Sequence, residues 1–239
     1  MLILGIDTST DIAAIGLIQK NELLGEFNVK LHHRHSERLL VNIDYVLKET
    51  NNGIKDLDGI AVGLGPGSFT GLRIGITTVK TIVQTLKIPV IGLSTLDILA
   101  FNKYQIRNWI VPVIDARRKR VYTSLYRGGN KDIKKNKIEE DKALSLKELN
   151  KMIVETAEKN KAEGIFHLVG AGVEVYRQQF EEFDIQSEFK VICSTVSDNI
   201  PRGGVIADLG HYYLEKGQQD KPETLLPNYL KKPQAEINW

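Results

Sequence analysis

Gly63-Leu64-Gly65-Pro66-Gly67-Ser68-Phe69-Thr70-Gly71-Leu72-Arg73-Ile74-Gly75 is the stretch on which the reading of this chain turns. Before it, the apolar run at 58–63 predicts a buried strand. After it, Leu72, Ile76, Val79, Val83 and Leu86 recur at helical spacing, so a helix follows. A strand, a Gly-rich turn and a helix start point free backbone N–H groups outward, which suits an anion. Known catalytic patterns do not fit. A P-loop needs a Lys followed by Ser or Thr after its second glycine, and there is no such pair here. The dinucleotide fingerprint meets Ser68 where its third glycine belongs. A serine nucleophile elbow fails because Pro66 and Thr70 flank Ser68, and no base is evident nearby. Two readings stay open: an anion-facing loop, with Gly65, Gly67, Ser68 and Thr70 facing a phosphate, or a turn held by Gly and capped by Ser68 or Thr70.

Upstream, Leu2–Asp7, Ile12–Ile18 and Glu22–Val29 read as three strands with short polar links, which predicts an antiparallel meander. Leu39, Ile43, Val46 and Leu47 mark a helix from about Ser36 to Thr50. Downstream, Pro89–Gly92 is a strand, and Ser94 with Asp97 resembles a capping box for a further helix. The order β-β-β-α-β-α-β, with right-handed crossovers, gives a mixed five-stranded sheet with both crossover helices on one face. This is a ribonuclease H-like α/β core.

The second half predicts strands at Trp109–Ile114 and Val121–Tyr126, joined by a turn holding Arg117, Arg118, Lys119 and Arg120. That basic turn suits phosphate, of a nucleotide or of RNA, and equally suits a soluble hairpin tip. Residues 127–143 read as a loop or edge strand, and Ser145 with Glu148 caps a helix to about Lys159. Ile165–Val169, a helix at Glu174–Phe183, a short strand at Val191–Ser194 and a last helix at Val205–Glu215 complete the chain. Neither the Asp7-Thr-Ser-Thr10 turn nor the long Gly loop recurs there as a motif, and Gly170-Ala-Gly172 is the nearest candidate. The expected division is an N-terminal domain at 1–104 and a smaller, degenerate α/β domain at 105–239, whose last helix and tail can pack back on the first.

Lys and Arg number 32 against 30 acids in 239 residues, a net charge of +2 that argues neither for nor against nucleic acid. The lone Cys193 excludes an internal disulfide and fits a reducing compartment. No apolar run approaches the ~20 residues of a membrane span, so a cytoplasmic, soluble protein is expected. His32 and His35 have plausible metal spacing, but zinc needs three or four ligands and no Cys is close, so no metal is assigned.

Gly65–Gly75 resembles the signature of the bacterial TsaB (YeaZ) family, and three further segments agree: Leu4–Thr10, Ile114–Arg118 and Pro227–Leu230. The resemblance covers nearly the whole chain, dense to about Tyr126 and thin after it. It implies the actin-like, sugar-kinase fold and a role in making threonylcarbamoyladenosine beside the tRNA anticodon. In that superfamily the Asp7 turn is the first phosphate-binding turn, so Asp7, Thr8 and Ser9 are expected to face a nucleotide. From the residues alone, a polar hairpin bonding its own backbone is the competing reading. The catalytic relative TsaD carries a paired-histidine motif whose counterpart here, Leu96–Tyr104, contains no His, which argues against a catalytic metal centre. The resemblance therefore implies a non-catalytic subunit that pairs with TsaD, works with the ATPase TsaE, reaches tRNA through the complex and can pair with itself when alone. No cofactor is assigned; ATP or ADP at low affinity, or at the partner interface, stays open. The alternative is a stand-alone small-molecule kinase using Asp7 and the Gly loop.

The expected partner surface comes from helical arithmetic at 100° per residue. Leu39, Leu40, Ile43, Val46 and Leu47 fill the inward arc of the first crossover helix, leaving Val41 and Tyr45 outside. On the second, Gly71, Ile74, Gly75 and Thr78 fall on an outer or lateral face, and two glycines one turn apart suggest close approach of another backbone. That backbone is either the first crossover helix or a related subunit.

Overall fold

A computed structural model describes residues 1–31, 35–160 and 164–230. The elements run β1 (Leu2–Asp7), β2 (Ile12–Gln19), β3 (Glu22–Lys30), α1 (His35–Glu49), β4 (Gly59–Gly63), α2 (Phe69–Leu86), β5 (Val90–Leu93) and α3 (Thr95–Phe101). Then follow β6 (Trp109–Asp115), β7 (Arg120–Arg127), α4 (Ile133–Asn136), β8 (Lys137–Ser145), α5 (Leu146–Lys159) and β9 (Ile165–Val169). Last come α6 (Ala171–Val175), α7 (Arg177–Gln186), β10 (Lys190–Cys193) and α8 (Gly203–Glu215). Two units result, one of Met1–Ile98 with Pro201–Trp239, the other of Leu99–Ile200. The chain is thus divided at 98/99 and again at 200/201, not once after 104.

In the first unit the sheet order is β3-β2-β1-β4-β5. β1 pairs antiparallel with β2 from Leu2↔Gln19 to Asp7↔Ala14 and parallel with β4 from Ile3↔Gly59 to Ile6↔Val62. Side chains alternate across a strand, so each face can be read from its partners. Leu2, Leu4, Ile6, Ile15 and Leu17 join the core built with Leu39, Ile43, Val46 and Leu47 of α1 and Leu72, Ile76, Val79 and Val83 of α2. Ile3, Gly5, Gly16 and Ala61 meet α8 instead, and there the approach is close. A Cβ built on Gly16 would lie 2.1 Å from the Gly203 carbonyl carbon, and one on Gly210 2.3 Å from the Ala61 Cβ. The free N–H groups at the start of α8 are received by β3: Gly203 N–H donates to Asn28 Oδ1 (3.0 Å) and Gly204 N–H to Glu26 Oε1 (3.0 Å).

The second sheet runs β10-β9-β6-β7-β8. β6–β7 and β7–β8 are antiparallel, and β6–β9 and β9–β10 are parallel. Numbered within its unit, this is the path of the first sheet repeated strand for strand. The ribonuclease H-like core is therefore present twice. Its core joins Val111, Val113, Val121 and Phe166 of the sheet to Leu149 and Ile153 of α5 and Phe180 of α7. Ser145 and Glu148 form the predicted capping box of α5. Residues 137–143 lie in edge strand β8, and the single helix predicted at 174–183 is two, α6 and α7, meeting at Tyr176. Among the described residues no helix is long and apolar enough to cross a membrane.

Candidate functional site

Asp7 ends β1 wholly buried. Its Oδ1 accepts from the Ser9 N–H (2.7 Å) and the Ser9 hydroxyl (2.6 Å), and the Thr95 hydroxyl at the start of α3 lies 3.0 Å from Oδ2. Burial pushes the Asp7 carboxyl above its ordinary range, and the bonds from Ser9 and Thr95 oppose that shift without cancelling it. Gly63 of β4 sits directly against the carboxylate, where any side chain would collide with Oδ2.

The Gly loop closes over this turn. Ser68 N–H donates to the Ser9 carbonyl (2.6 Å), and the Thr8 hydroxyl donates to the Gly71 carbonyl (2.7 Å). A Cβ on Gly67 would lie 2.2 Å from the Ser9 carbonyl oxygen, on Gly71 2.0 Å from that of Thr8, and on Gly75 2.3 Å from the Thr8 hydroxyl. These glycines therefore exist to let the loop and the first turns of α2 lie on the β1–β2 turn. Expectation and structure part company at two places. Thr8 and Ser9, expected to face a nucleotide, are buried with their hydroxyls bonded inside the protein. Gly71 and Gly75 are buried too, Gly71 against the Thr8 carbonyl and Gly75 against the Thr8 side chain, and none of the atoms nearest to them belongs to α1.

Gly65, in the left-handed region, is buried against the Leu72 side chain, and its carbonyl accepts from the Thr95 N–H (2.8 Å). Ser68 is the α2 N-cap, its hydroxyl accepting from the Gly71 N–H (3.3 Å), and only Ser68 and Thr70 of the expected phosphate-facing set are exposed. The C-terminal motif completes the assembly. Asn228 N–H donates to the Leu64 carbonyl (2.7 Å), the Tyr229 ring stacks on Phe69 at 4.7 Å, and Arg73 lies 3.8 Å over Phe69 while its Nε donates to the Tyr229 hydroxyl (3.1 Å). Residue reasoning missed Thr95 and Tyr229; the signal for Tyr229 was the Pro227–Leu230 segment itself.

On α1, Val41 is 55% and Tyr45 52% exposed. Leu40, expected inside, is 59% exposed, because it stands at the rim of the arc centred on Leu39, Ile43 and Val46. On α2, Ile74 and Thr78 are half-buried, Ile74 packing on the core. His32 lies outside the described residues, as does the side chain of His35. Among the described residues no group of three His, Cys, Asp or Glu side chains stands ready to hold a metal.

In the second unit Asp115 ends β6 as Asp7 ends β1. Its Oδ1 accepts from the Arg117 N–H (2.9 Å) and from the Tyr176 hydroxyl (2.8 Å). Burial and the neighbouring Asp115 push the Tyr176 phenol up to about 12. Gly170 and Gly172 pack on the Val113 carbonyl as the turn after β9. The Asn199 side chain ties that turn to the segment after β10, accepting from the Gly170 N–H (2.9 Å) and donating to the Ser194 carbonyl (3.2 Å). Arg117, Arg118, Lys119 and Arg120 are exposed at the hairpin tip; the Arg120 guanidinium donates to the Ala143 carbonyl, so it is partly engaged.

Comparison with known proteins bears on the family and the fold. Residues 29–239 match the family model described as TsaD: tRNA N6-adenosine threonylcarbamoyltransferase. The tRNA threonylcarbamoyladenosine biosynthesis protein TsaB of Bacillus subtilis is 33% identical over 239 residues, spanning 100% of this chain and 98% of that protein. The protein of the same name in Escherichia coli is 32% identical over 128 residues, 53% of this chain and 55% of its own. The solved structure of YeaZ from Pseudomonas aeruginosa superposes with a TM-score of 0.73 at 24% identity, over 96% of this chain and 99% of that one, a likeness of fold. With a full-length relative at this identity, the chain belongs to the TsaB, or YeaZ, family.

Proposed function

We propose that this chain works in threonylcarbamoyladenosine formation on tRNA as a cytoplasmic subunit without chemistry of its own. It pairs with a TsaD-type transferase and acts with the TsaE ATPase, the biosynthetic role being the one named for its relatives. The observation that carries this reading is the closure of the Asp7 turn. A phosphate-binding turn needs unpaired N–H and O–H donors and room beside them. Here the Ser9 N–H and the Thr8 and Ser9 hydroxyls are spent inside the chain, and Gly67, Gly71 and Gly75 leave no space over them. Such a site favours a scaffold over a kinase.

The exposed Leu40, Val41 and Tyr45 form an apolar strip on α1, the kind of surface a helix-on-helix partner covers. In this reading the strip, with Ile74 and Thr78 of α2 beside it, receives the transferase, or a second copy when the transferase is absent. The experiment is pull-down of a TsaD-type transferase with wild type and with Val41→Glu plus Tyr45→Glu, followed by the tRNA modification assay. Loss of pairing and of modification by a folded double variant is expected. Pairing at wild-type affinity would remove the strip from the interface, and steady phosphoryl transfer to a small molecule by the pure chain would favour the kinase alternative.

A further inference from the structure

The β6–β7 turn differs in kind from its counterpart in the first unit. Arg117, Arg118 and Lys119 take φ of 61°, 56° and 56°, three consecutive non-glycine residues in the left-handed region. Each Cβ is crowded there, and Gly or Asn would hold the same turn with less strain. The turn is nevertheless well tied at its base: Ala116 N–H donates to the Arg120 carbonyl (2.9 Å), Arg120 N–H to the Arg117 carbonyl (3.2 Å), and Arg117 N–H to Asp115. Among the described residues no ion pair and no side-chain hydrogen bond holds the Arg117, Arg118 or Lys119 side chains, and all three are exposed. Three adjacent cations thus stand in solvent on a strained backbone, with no internal contact to account for their charge. No long Gly loop covers them, because Gly170 alone separates β9 from α6.

We propose that Arg117, Arg118 and Lys119 form a contact for the phosphate backbone of tRNA. Strain kept in the fold is a mark of a functional segment when nothing inside uses its side chains. Phosphate contacts position the nucleic acid and read no base. The Asp115 Oδ1 at the base of the turn is held by the Arg117 N–H and the Tyr176 hydroxyl, and three cations stand beyond that one carboxylate. This inference rests on the tRNA role proposed above.

The test measures tRNA binding by the full chain assembled with a TsaD-type transferase across a salt series. Three forms are compared: wild type, Arg118→Glu with Lys119→Glu, and Arg118→Gly with Lys119→Gly. Both variants should bind roughly tenfold more weakly near physiological salt, with a log–log salt slope shallower by about 1.5, since each phosphate contact contributes roughly 0.7 to 0.9. The glycine pair relieves the strain, so its melting temperature should hold or rise while binding falls; a merely structural turn would not separate the two. An unchanged slope in both variants, with complex and modification intact, overturns this proposal and leaves the subunit reading standing. Loss of transferase pairing with the slope unchanged assigns the turn to a protein contact and overturns it as well. A wild-type chain that neither joins the transferase nor alters its tRNA binding overturns both.

Discussion

Asp7 and Asp115 stand at the same point of the same strand path, and each accepts the N–H of the residue two further on, at 2.7 and 2.9 Å. Around them the two units diverge. The first turn continues Thr8-Ser9, both buried, and the loop glycine Gly67 with an eighteen-residue helix carrying Gly71 and Gly75 lies on top of it. The second continues Ala116-Arg117-Arg118-Lys119 and is left open. The segment after the fifth strand tells the same story. Ser94-Thr95 follows β5 and Ser194-Thr195 follows β10, yet Thr95 is buried against Asp7 while Thr195 is exposed and bonds Asp198 (2.8 Å). What separates sealed from open is the length of the turn after the fourth strand, Leu64–Ser68 with the first turns of α2 in one unit, Gly170 alone before α6 in the other.

The largest expected effect breaks the seal. Gly71→Ala would drive a methyl into the Thr8 carbonyl at 2.0 Å, while Gly172→Ala meets the Val113 Cγ1 at 2.7 Å and carbonyl oxygen at 2.9 Å. Denaturant unfolding should show a loss of about 3 kcal/mol or more for the first and about 1–2 kcal/mol for the second. Equal losses would mean that the first turn is no more tightly covered than the second.

The paired threonines sharpen the contrast at lower cost. Thr95→Ala leaves Asp7 Oδ2 buried with one partner fewer and should lose about 2 kcal/mol. Thr195→Ala removes an exposed hydroxyl and should stay within about 0.5 kcal/mol of wild type. A Thr195 effect as large as that of Thr95 would contradict an open second site.

A finer effect appears in pH. The folded-state carboxyl of Asp7 lies above its ordinary 3.8, so the folded chain holds that proton more tightly than the unfolded chain does. Its contribution is fully present below pH 3.8 and is lost as pH rises through the folded value. Wild type should therefore lose stability relative to Asp7→Asn as pH climbs above 3.8 and then level off. Parallel curves would show that Asp7 is solvated like a surface carboxylate.

Much of this was legible in the residues. Leu2–Asp7 appeared as an unbroken apolar run and the Ser145–Glu148 box announced α5, because both signals are local. Helical arithmetic put Gly71 and Gly75 on an outer or lateral face and could not say that the Thr8 turn, arriving from 63 residues away, buries them. Edge strand β8 was ambiguous because its exposed and half-buried positions alternate along a Lys- and Glu-rich segment. The repeat of the first unit in the second was missed for a related reason. An Asp at a strand end, a Ser-Thr pair and a Gly-x-Gly are too short to stand out until strand order aligns them.

The most direct test of the central claim is ATP turnover and tRNA modification measured with the pure chain, then with a TsaD-type transferase and TsaE added. The sealed Asp7 turn predicts no turnover by the chain alone and modification that depends on adding it to the other two. Steady turnover by the pure chain, lost in a folded Asp7→Asn variant, would contradict it.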